Sequence, residues 1–156
     1  MLSRSDIGHQ EFSLFVTEVE PRLSRALTGT YGREVGEEAT RDALVYAWEN
    51  WERVSGMENP VGFLFRVGQS RARRYRRKPV VLPKVSSYEL PHVEPALPRA
   101  LEKLSERQRA ALLLIHVEGL TERDAAKAMG VSRVTIRRHA DRALNKLRSF
   151  LEVEDG

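Results

Sequence analysis

The chain has 156 residues, of which 31% are charged, and its net charge is +4. A chain of this length forms one domain or two small ones, and its slightly basic balance permits an acidic partner. It has no cysteine and no run of about eighteen apolar residues, and no apolar run follows a basic amino end, so we expect no disulfide, no thiolate metal site, no signal peptide, no membrane span and a cytoplasmic location.

Two amphipathic helices are predicted in the first fifty residues. From Gln10 onward the apolar residues recur at helical spacing, and Pro21 is expected to kink or restart this helix, while residues 1–9 are expected to fray. A second helix is predicted from about Gly36 to Trp51. Its two tryptophans lie one turn apart, which is typical of core packing, and we expect Trp48 to be the more deeply buried.

A long basic helix is predicted to follow. Asn59 is suited to cap it and Pro60 to its first position. One apolar stripe, from Val61 to Tyr75, marks its buried face, and Phe63 and Tyr75 are predicted to pack rather than to stack on bases. No acidic residue offsets its cations, so nucleic acid is the expected counterion. These cations are Arg66, Arg71, Arg73, Arg74, Arg76, Arg77 and Lys78.

Five prolines lie between Pro79 and Pro98, and this stretch has no helical period. It predicts an extended linker that separates an N-terminal domain, 10–78, from a C-terminal domain, 99–151. In a polyproline-like conformation such a linker spans roughly 60 Å, enough for two DNA-reading domains to contact separate sites. We expect the acidic tail after Leu151 to be disordered.

The stretch 119–147 predicts a helix-turn-helix. Thr121 is placed to cap its first helix, Gly130 to end that helix and Ser132 to cap the second. Apolar residues of the second helix recur at helical spacing, which leaves an outward face for the major groove. This face comprises Arg133, Thr135, Arg137, Arg138 and Arg142. A helical hairpin with a solvated basic face is the alternative interpretation.

Position along this second helix distinguishes the expected contacts. Arg133, Thr135 and Arg137 lie in its first turns and are predicted to reach base edges. Arg142 and Lys146 lie further along and are predicted to contact phosphates at most.

Catalytic and metal-binding patterns are not evident. The four histidines lack ligand spacing, no glycine-rich loop is suited to phosphate, and no nucleophile accompanies a recognisable base. We therefore expect no enzyme activity, no cofactor, no metal and no small-molecule substrate. A resolvase-like recombinase would need a nucleophile among arginines, for which Ser70 beside Arg71 is a weak candidate.

Two stretches together resemble the extracytoplasmic-function sigma factors, which direct bacterial RNA polymerase to promoters. The first, EEATRDALVYAWENWERVSGMENPVGFLFRVGQSRARRYRRK, looks like sigma region two. The second, LPRALEKLSERQRAALLLIHVEGLTERDAAKAMGVSRVTIRRHADRALNKLR, is similar to sigma region four. The resemblance implies an all-α protein of two small helical domains that binds core RNA polymerase and promoter DNA, both duplex and melted, with an anti-sigma factor as a possible partner.

The resemblance also assigns residues. Core polymerase would bind the helix that contains Glu38, Arg41, Asp42 and Val45. The minus-ten element would be engaged and opened by the loop 54–59 and the basic helix, through Asn59, Arg66, Ser70, Arg73, Arg74 and Arg77. The minus-thirty-five element would be read by the second helix of the helix-turn-helix, through Ser132, Arg133, Thr135, Arg137, Arg138 and Arg142.

Some positions depart from the family pattern. Many members have Asp-Leu-Val-Gln-Glu where this chain has residues 38–42, EATRD, and an asparagine where it has Ser70. Val134 and Asp141 replace a frequent glycine and histidine. The alternative function is a conventional helix-turn-helix regulator that does not bind polymerase as a sigma factor. Its sensing domain would have no reason to carry the basic helix.

Overall fold

The computed structural model describes residues 3–75 and 97–155, and within these ranges every regular element is helical. The all-α prediction is confirmed. Arg76, Arg77, Lys78 and residues 79–96 of the predicted linker lie outside the described ranges. The helices are α1 (Arg4–Tyr31), α2 (Arg33–Glu49), α3 (Trp51–Val54), α4 (Pro60–Tyr75), α5 (Leu97–Glu102), α6 (Glu106–Leu112), α7 (Glu122–Met129) and α8 (Arg133–Asp155), with a π-helical turn at Leu113–Val117.

The first helix is longer than predicted at its amino end. Ser3 and Asp6 form a capping box, with the Asp6 amide 3.1 Å from Ser3 Oγ and the Ser3 amide 3.3 Å from Asp6 Oδ2. Residues 4–9 therefore form the first turns of the helix, contrary to expectation. Pro21 does not restart the helix, which continues to Tyr31 and ends at Gly32 with a φ of 91°.

Packing on both sides of Pro21 accounts for the unbroken helix. On its amino side, the Phe12 ring lies 4.9 Å from Trp48 and 5.3 Å from Trp51. On its carboxyl side, Leu23 and Leu27 are fully buried. The predicted order of the tryptophans is wrong, since Trp48 is 40% exposed and Trp51 is half-buried. The described ring contacts of Trp48 come from α1 alone, which leaves the rest of its indole open.

The basic helix α4 begins as predicted at Pro60, and Asn59 Oδ1 accepts a hydrogen bond from the Gly62 amide at 3.3 Å. Its apolar stripe is buried as far as Ala72. The burial expected for Tyr75 is wrong, because Tyr75 lies beyond the core in the last turn and is 46% exposed. Its hydroxyl donates to Asp42 Oδ2 at 2.8 Å and so connects α4 to α2.

The N-terminal and C-terminal halves pack against each other. Leu114 and Leu120 belong to the same buried cluster as Leu27 and Phe65. A Cβ added at Gly29 would lie 2.6 Å from Leu113 Cδ1, so glycine permits close approach of α1 and the π-helical turn. The two helical domains therefore share one hydrophobic core in this arrangement.

Two buried charged residues hold this junction. The Glu118 carboxylate is fully buried and accepts from Arg25 Nε at 3.0 Å, while its main-chain oxygen accepts from Arg22 Nη2 at 2.9 Å. Arg109 is 4% exposed, and it donates from Nε to the Thr30 carbonyl at 3.0 Å and from Nη1 to the Leu104 carbonyl at 2.9 Å. Glu118 thus joins the C-terminal half to α1. Arg109 joins α6 both to α1, through Thr30, and to the turn before α6, through Leu104.

The end of the chain also differs from expectation. Residues after Leu151 were expected to be disordered, but α8 continues to Asp155. Leu147 packs with Leu104 and Leu112 in a second, smaller core, and this contact supports the later turns of α8.

Candidate nucleic-acid interface

The corner between α7 and α8 has the predicted caps. Thr121 Oγ1 accepts from the Asp124 amide at 3.0 Å at the start of α7. At its end Gly130 adopts a left-handed conformation, φ 72° and ψ 34°, and the Val131 amide returns to the Ala126 carbonyl at 3.0 Å. This closure satisfies the last carbonyls of α7 and fixes the direction of α8.

The next helix buries one face and exposes the other, as the helix-turn-helix interpretation requires. Ile136 and Ala143 are fully buried, and Ala140 and Leu147 nearly so. The four predicted arginines are exposed, namely Arg133, Arg137, Arg138 and Arg142. Arg133 also begins the helix, so its side chain is available at the end that enters a major groove in such motifs.

Ser132 and Thr135 form the start of α8. Ser132 Oγ accepts from the Thr135 amide at 3.1 Å and donates to Thr135 Oγ1 at 2.9 Å. Thr135 is half-buried rather than fully outward. Ser132 therefore caps the helix at the site where DNA contact is predicted, and the Thr135 hydroxyl accepts a hydrogen bond from this cap.

Arg137 has an acidic partner that the sequence analysis did not identify. Its Nη2 lies 2.9 Å from Glu122 Oε2, and its Nε lies 3.2 Å from the same oxygen. The hydrogen bond from Arg137 lowers the pKa of Glu122, and it raises the pKa of Arg137 in turn. The pair joins the first turn of α7 to the second turn of α8.

His139 lies on the half-buried side of α8. Burial lowers its pKa, and the neighbouring charges of Arg107, Arg142 and Arg138 lower it further. Its Nε2 is buried with no hydrogen-bond partner among the described residues. The neutral imidazole is therefore the favoured form within the folded chain.

The cations of α4 are in a different environment. Arg66, Ser70, Arg73 and Arg74 are exposed, but Arg73 Nη2 lies 3.7 Å from Glu106 Oε2 of the C-terminal half. The helix thus presents a basic face, one member of which has an acidic neighbour across the junction.

An open cleft lies where the loop before α4 meets α7. Asn59, Phe63 and Arg66 line one side of it, and Asp124 and Lys127 line the other. The Arg53 guanidinium lies 5.3 Å from the Phe63 ring centroid, and Phe63 is 5.9 Å from Tyr46, so Phe63 is packed within the protein. A nucleic-acid strand that reached Asn59 or Arg66 would pass beside α7.

The four residues assigned to polymerase share one side of α2. Glu38, Arg41 and Val45 are exposed, and Asp42 is half-buried beneath Tyr75. Arg41 Nη2 lies 2.7 Å from Glu38 Oε2. Val45 is 56% exposed and Trp48, one turn further on, is 40% exposed, so the face combines charge with an apolar edge.

Sequence reasoning missed the acids that pair with cations distant in sequence. Glu122 precedes Arg137 by fifteen residues and Glu118 follows Arg25 by ninety-three, so neither pair matches a local helical spacing. The one available signal was an acid in the first turn of α7, next to the helix that was predicted to bind DNA.

Within residues 3–75 and 97–155 no group of histidine and acidic side chains could hold a metal ion. Among the same residues no helix is long and apolar enough to cross a membrane.

Comparison with known proteins identifies the C-terminal half. Residues 95–147 match the family described as Sigma-70, region 4. No curated protein sequence matches the chain.

Two solved structures have a similar fold. The sigma factor RpoE from Bartonella quintana, in complex with the anti-sigma factor NepR, is 24% identical with a TM-score of 0.78, over 92% of this chain and 98% of that one. CnrH in complex with the cytosolic domain of CnrY is 22% identical with a TM-score of 0.68, over 94% of this chain and 95% of that one. The match to Sigma-70 region 4 thus confirms the expected resemblance for residues 95–147, and the two structures show that the fold of nearly the whole chain is the one that the resemblance implied.

Proposed function

We propose that this protein is a promoter-specificity subunit of RNA polymerase. The observation that carries the proposal is the helix-turn-helix with an exposed arginine face, in a stretch that matches Sigma-70 region 4. The fold of the rest of the chain, similar to that of the sigma factor RpoE, supports the same role. The protein would act in the cytoplasm and catalyse no reaction itself.

Duplex recognition is assigned to α8. Its exposed arginines neutralise phosphates, and those in its first turns reach base edges of the minus-thirty-five element. This assignment covers Ser132, Arg133, Thr135, Arg137, Arg138 and Arg142, with Ser132 and Thr135 acting through the cap as well.

Strand opening is assigned to α4 and the loop before it. Asn59, Arg66, Ser70, Arg73 and Arg74 would engage the minus-ten element, and binding of the unpaired strand offsets the free energy of melting. Arg77 belongs to the same proposal but lies outside the described residues. The neighbouring helix α7 lines the cleft beside Asn59 and Arg66, so the other half of the protein lies next to this proposed surface.

The proposed polymerase-binding surface is the side of α2 that carries Glu38, Arg41, Asp42 and Val45. An exposed apolar residue beside charged ones is typical of a protein interface. The two similar structures contain a bound NepR and a bound CnrY domain. An anti-sigma factor is accordingly a proposed partner of this chain.

Association with core RNA polymerase tests the proposal. We expect Glu38→Lys to weaken co-purification with the core enzyme at least about tenfold. The substitution reverses the charge at this position, and a surface of the polymerase that complements a carboxylate would repel the lysine. Glu20→Lys is the matched control, since Glu20 is also an exposed acid but lies on α1, outside this face of α2. A parent protein that fails to bind core polymerase would favour the conventional regulator instead.

A further inference from the structure

The ion pair between Glu122 and Arg137 has a specific geometry. Arg137 uses Nε and Nη2, which together form one edge of the guanidinium, and both contact the Glu122 carboxylate. Among the described arginines of α8, Arg137 alone forms an ion pair. Arg137 therefore differs from Arg133, Arg138 and Arg142 in having its guanidinium held by a carboxylate.

The contact leaves a second edge of the guanidinium free. Nη1 and the remaining hydrogen of Nη2 are adjacent donors that point away from the carboxylate. A guanine presents two adjacent acceptors, N7 and O6, in the major groove, and a paired set of arginine donors fits them. The side chain that Glu122 holds can thus still make a bidentate contact with a base.

Glu122 is itself anchored. It is the first residue of α7, whose start is capped by Thr121, and negative charge is favourable at a helix amino end. Its side chain is 33% exposed against 61% for Arg137. Exposed ion pairs contribute little to folding, so the main consequence of this pair is the orientation that it gives the guanidinium.

The carboxylate also affects binding to phosphates. A negative charge on the DNA-facing side repels the duplex backbone and offsets one arginine, whatever the sequence of the DNA. Held at Nε and Nη2, Arg137 is less free to turn toward a phosphate. Both effects weaken binding to DNA of arbitrary sequence more than binding to a site that places a guanine opposite the free edge of Arg137.

We propose that Glu122 is a positioning residue that aims the free edge of Arg137 at a guanine and so raises sequence discrimination by α8. The inference rests on the proposed duplex recognition by this helix. It requires no polymerase, so its test is independent of whether the chain is a sigma factor.

The test uses the full chain, without polymerase, on a library of duplexes with a randomised central segment. The parent protein should select guanine at one position, and Arg137→Ala should lose that selection. Glu122→Ala should reduce the same guanine preference about tenfold while binding an alternating adenine–thymine duplex several-fold more tightly.

Asp141→Asn is the matched control, because it also removes one negative charge from the region and Asp141 acts on Arg137 only through space. It should strengthen binding to the adenine–thymine duplex but retain the guanine preference. If Glu122→Ala retains that preference, or if the parent selects no guanine, Glu122 does not position a base-reading arginine. Failure to stimulate transcription would count against the sigma-factor role alone.

Discussion

Both α4 and α8 carry a cationic face, yet they differ in what lies over it. The arginines of α8 point away from the core, and within the described ranges their one ion pair joins Arg137 to Glu122 of the same hairpin. On α4, Arg73 meets Glu106 from the other half, and Arg66 lines a cleft whose far wall is α7. A similar run of cations therefore yields one open surface and one partly covered by its neighbour.

The difference arises from the shared core rather than from the charges. Leu120, just before α7, would lie 3.4 Å from a Cβ on Gly62 of α4, which shows how closely the C-terminal half approaches. Any change that loosens this junction should therefore uncover α4 while leaving the face of α8 as it is.

The first prediction concerns Arg109, the buried arginine of the junction. Arg109→Leu should lower the free energy of unfolding by about 3 kcal/mol, because buried carbonyls of Thr30 and Leu104 lose a charged donor. Chemical denaturation measures the change. Arg107→Leu, at an exposed site on the same helix, should change it by less than about 0.5 kcal/mol. Equal effects of the two substitutions would contradict the role given to Arg109.

Removal of the junction acid should also uncover α4. Glu118→Ala should lower the free energy of unfolding by about 2 kcal/mol, since Arg22 and Arg25 lose their carboxylate partner. The arginines of α4 should then bind single-stranded DNA more tightly than in the parent, as measured by fluorescence anisotropy. Unchanged single-strand affinity in a destabilised variant would show that the other half does not limit access to α4.

Neutralising α4 should affect strand opening more than duplex binding. Arg73→Ala with Arg74→Ala should reduce open-complex formation about tenfold, measured by permanganate reactivity of unpaired thymines, because two phosphate contacts are lost. Arg99→Ala, at an exposed site on α5, is the control and should leave opening unchanged. Normal opening by the double variant would remove α4 from the opening step.

A smaller effect is expected for Arg142, an exposed cation further along α8. Arg142→Ala should weaken binding to all duplexes about equally and reduce the slope of log affinity against log salt by about one. Lys146 is less suited to this role, because its Nζ donates to Gln108 Oε1 at 3.1 Å. A loss confined to one DNA sequence would instead make Arg142 a base reader.

The smallest effect concerns pH and is confined to α8, since α4 contains no histidine. The pKa of His139 is lowered from 6.5 in the folded chain, so the unfolded chain takes up this proton first as the pH falls. Stability should therefore decrease below about pH 6.5 until the lowered pKa is passed. His139→Asn should flatten this part of the profile in thermal melts at successive pH values. An unchanged profile would mean that other groups cause it.

Local chemistry made much of the fold predictable. The caps at Asn59, Thr121 and Gly130 follow from the conformations and hydrogen bonds that these residues favour, and the structure contains all three. The buried stripes of α4 and α8 follow from helical periodicity alone. The order of the two domains was expected from the family resemblance, because helical periodicity does not indicate which domain comes first.

Long-range packing was not predictable in the same way. Trp48 is of a residue type typical of cores, but it is 40% exposed at the edge of the packed region. Pro21 stays within α1 because aromatic rings pack before it and leucines pack after it. The acidic partner of Arg137 depends on the angle between α7 and α8 rather than on a sequence spacing. The sequence therefore indicated the helices and the cationic faces, but not which cations meet acids.

Run-off transcription tests the central claim most directly. Purified core RNA polymerase is supplied with genomic fragments and with or without the chain, and transcript ends are mapped. The proposed function predicts discrete transcripts that require the chain and that are lost with Arg137→Ala or Glu38→Lys. A chain that binds these fragments but starts no transcript with core polymerase would contradict the role of a promoter-specificity subunit.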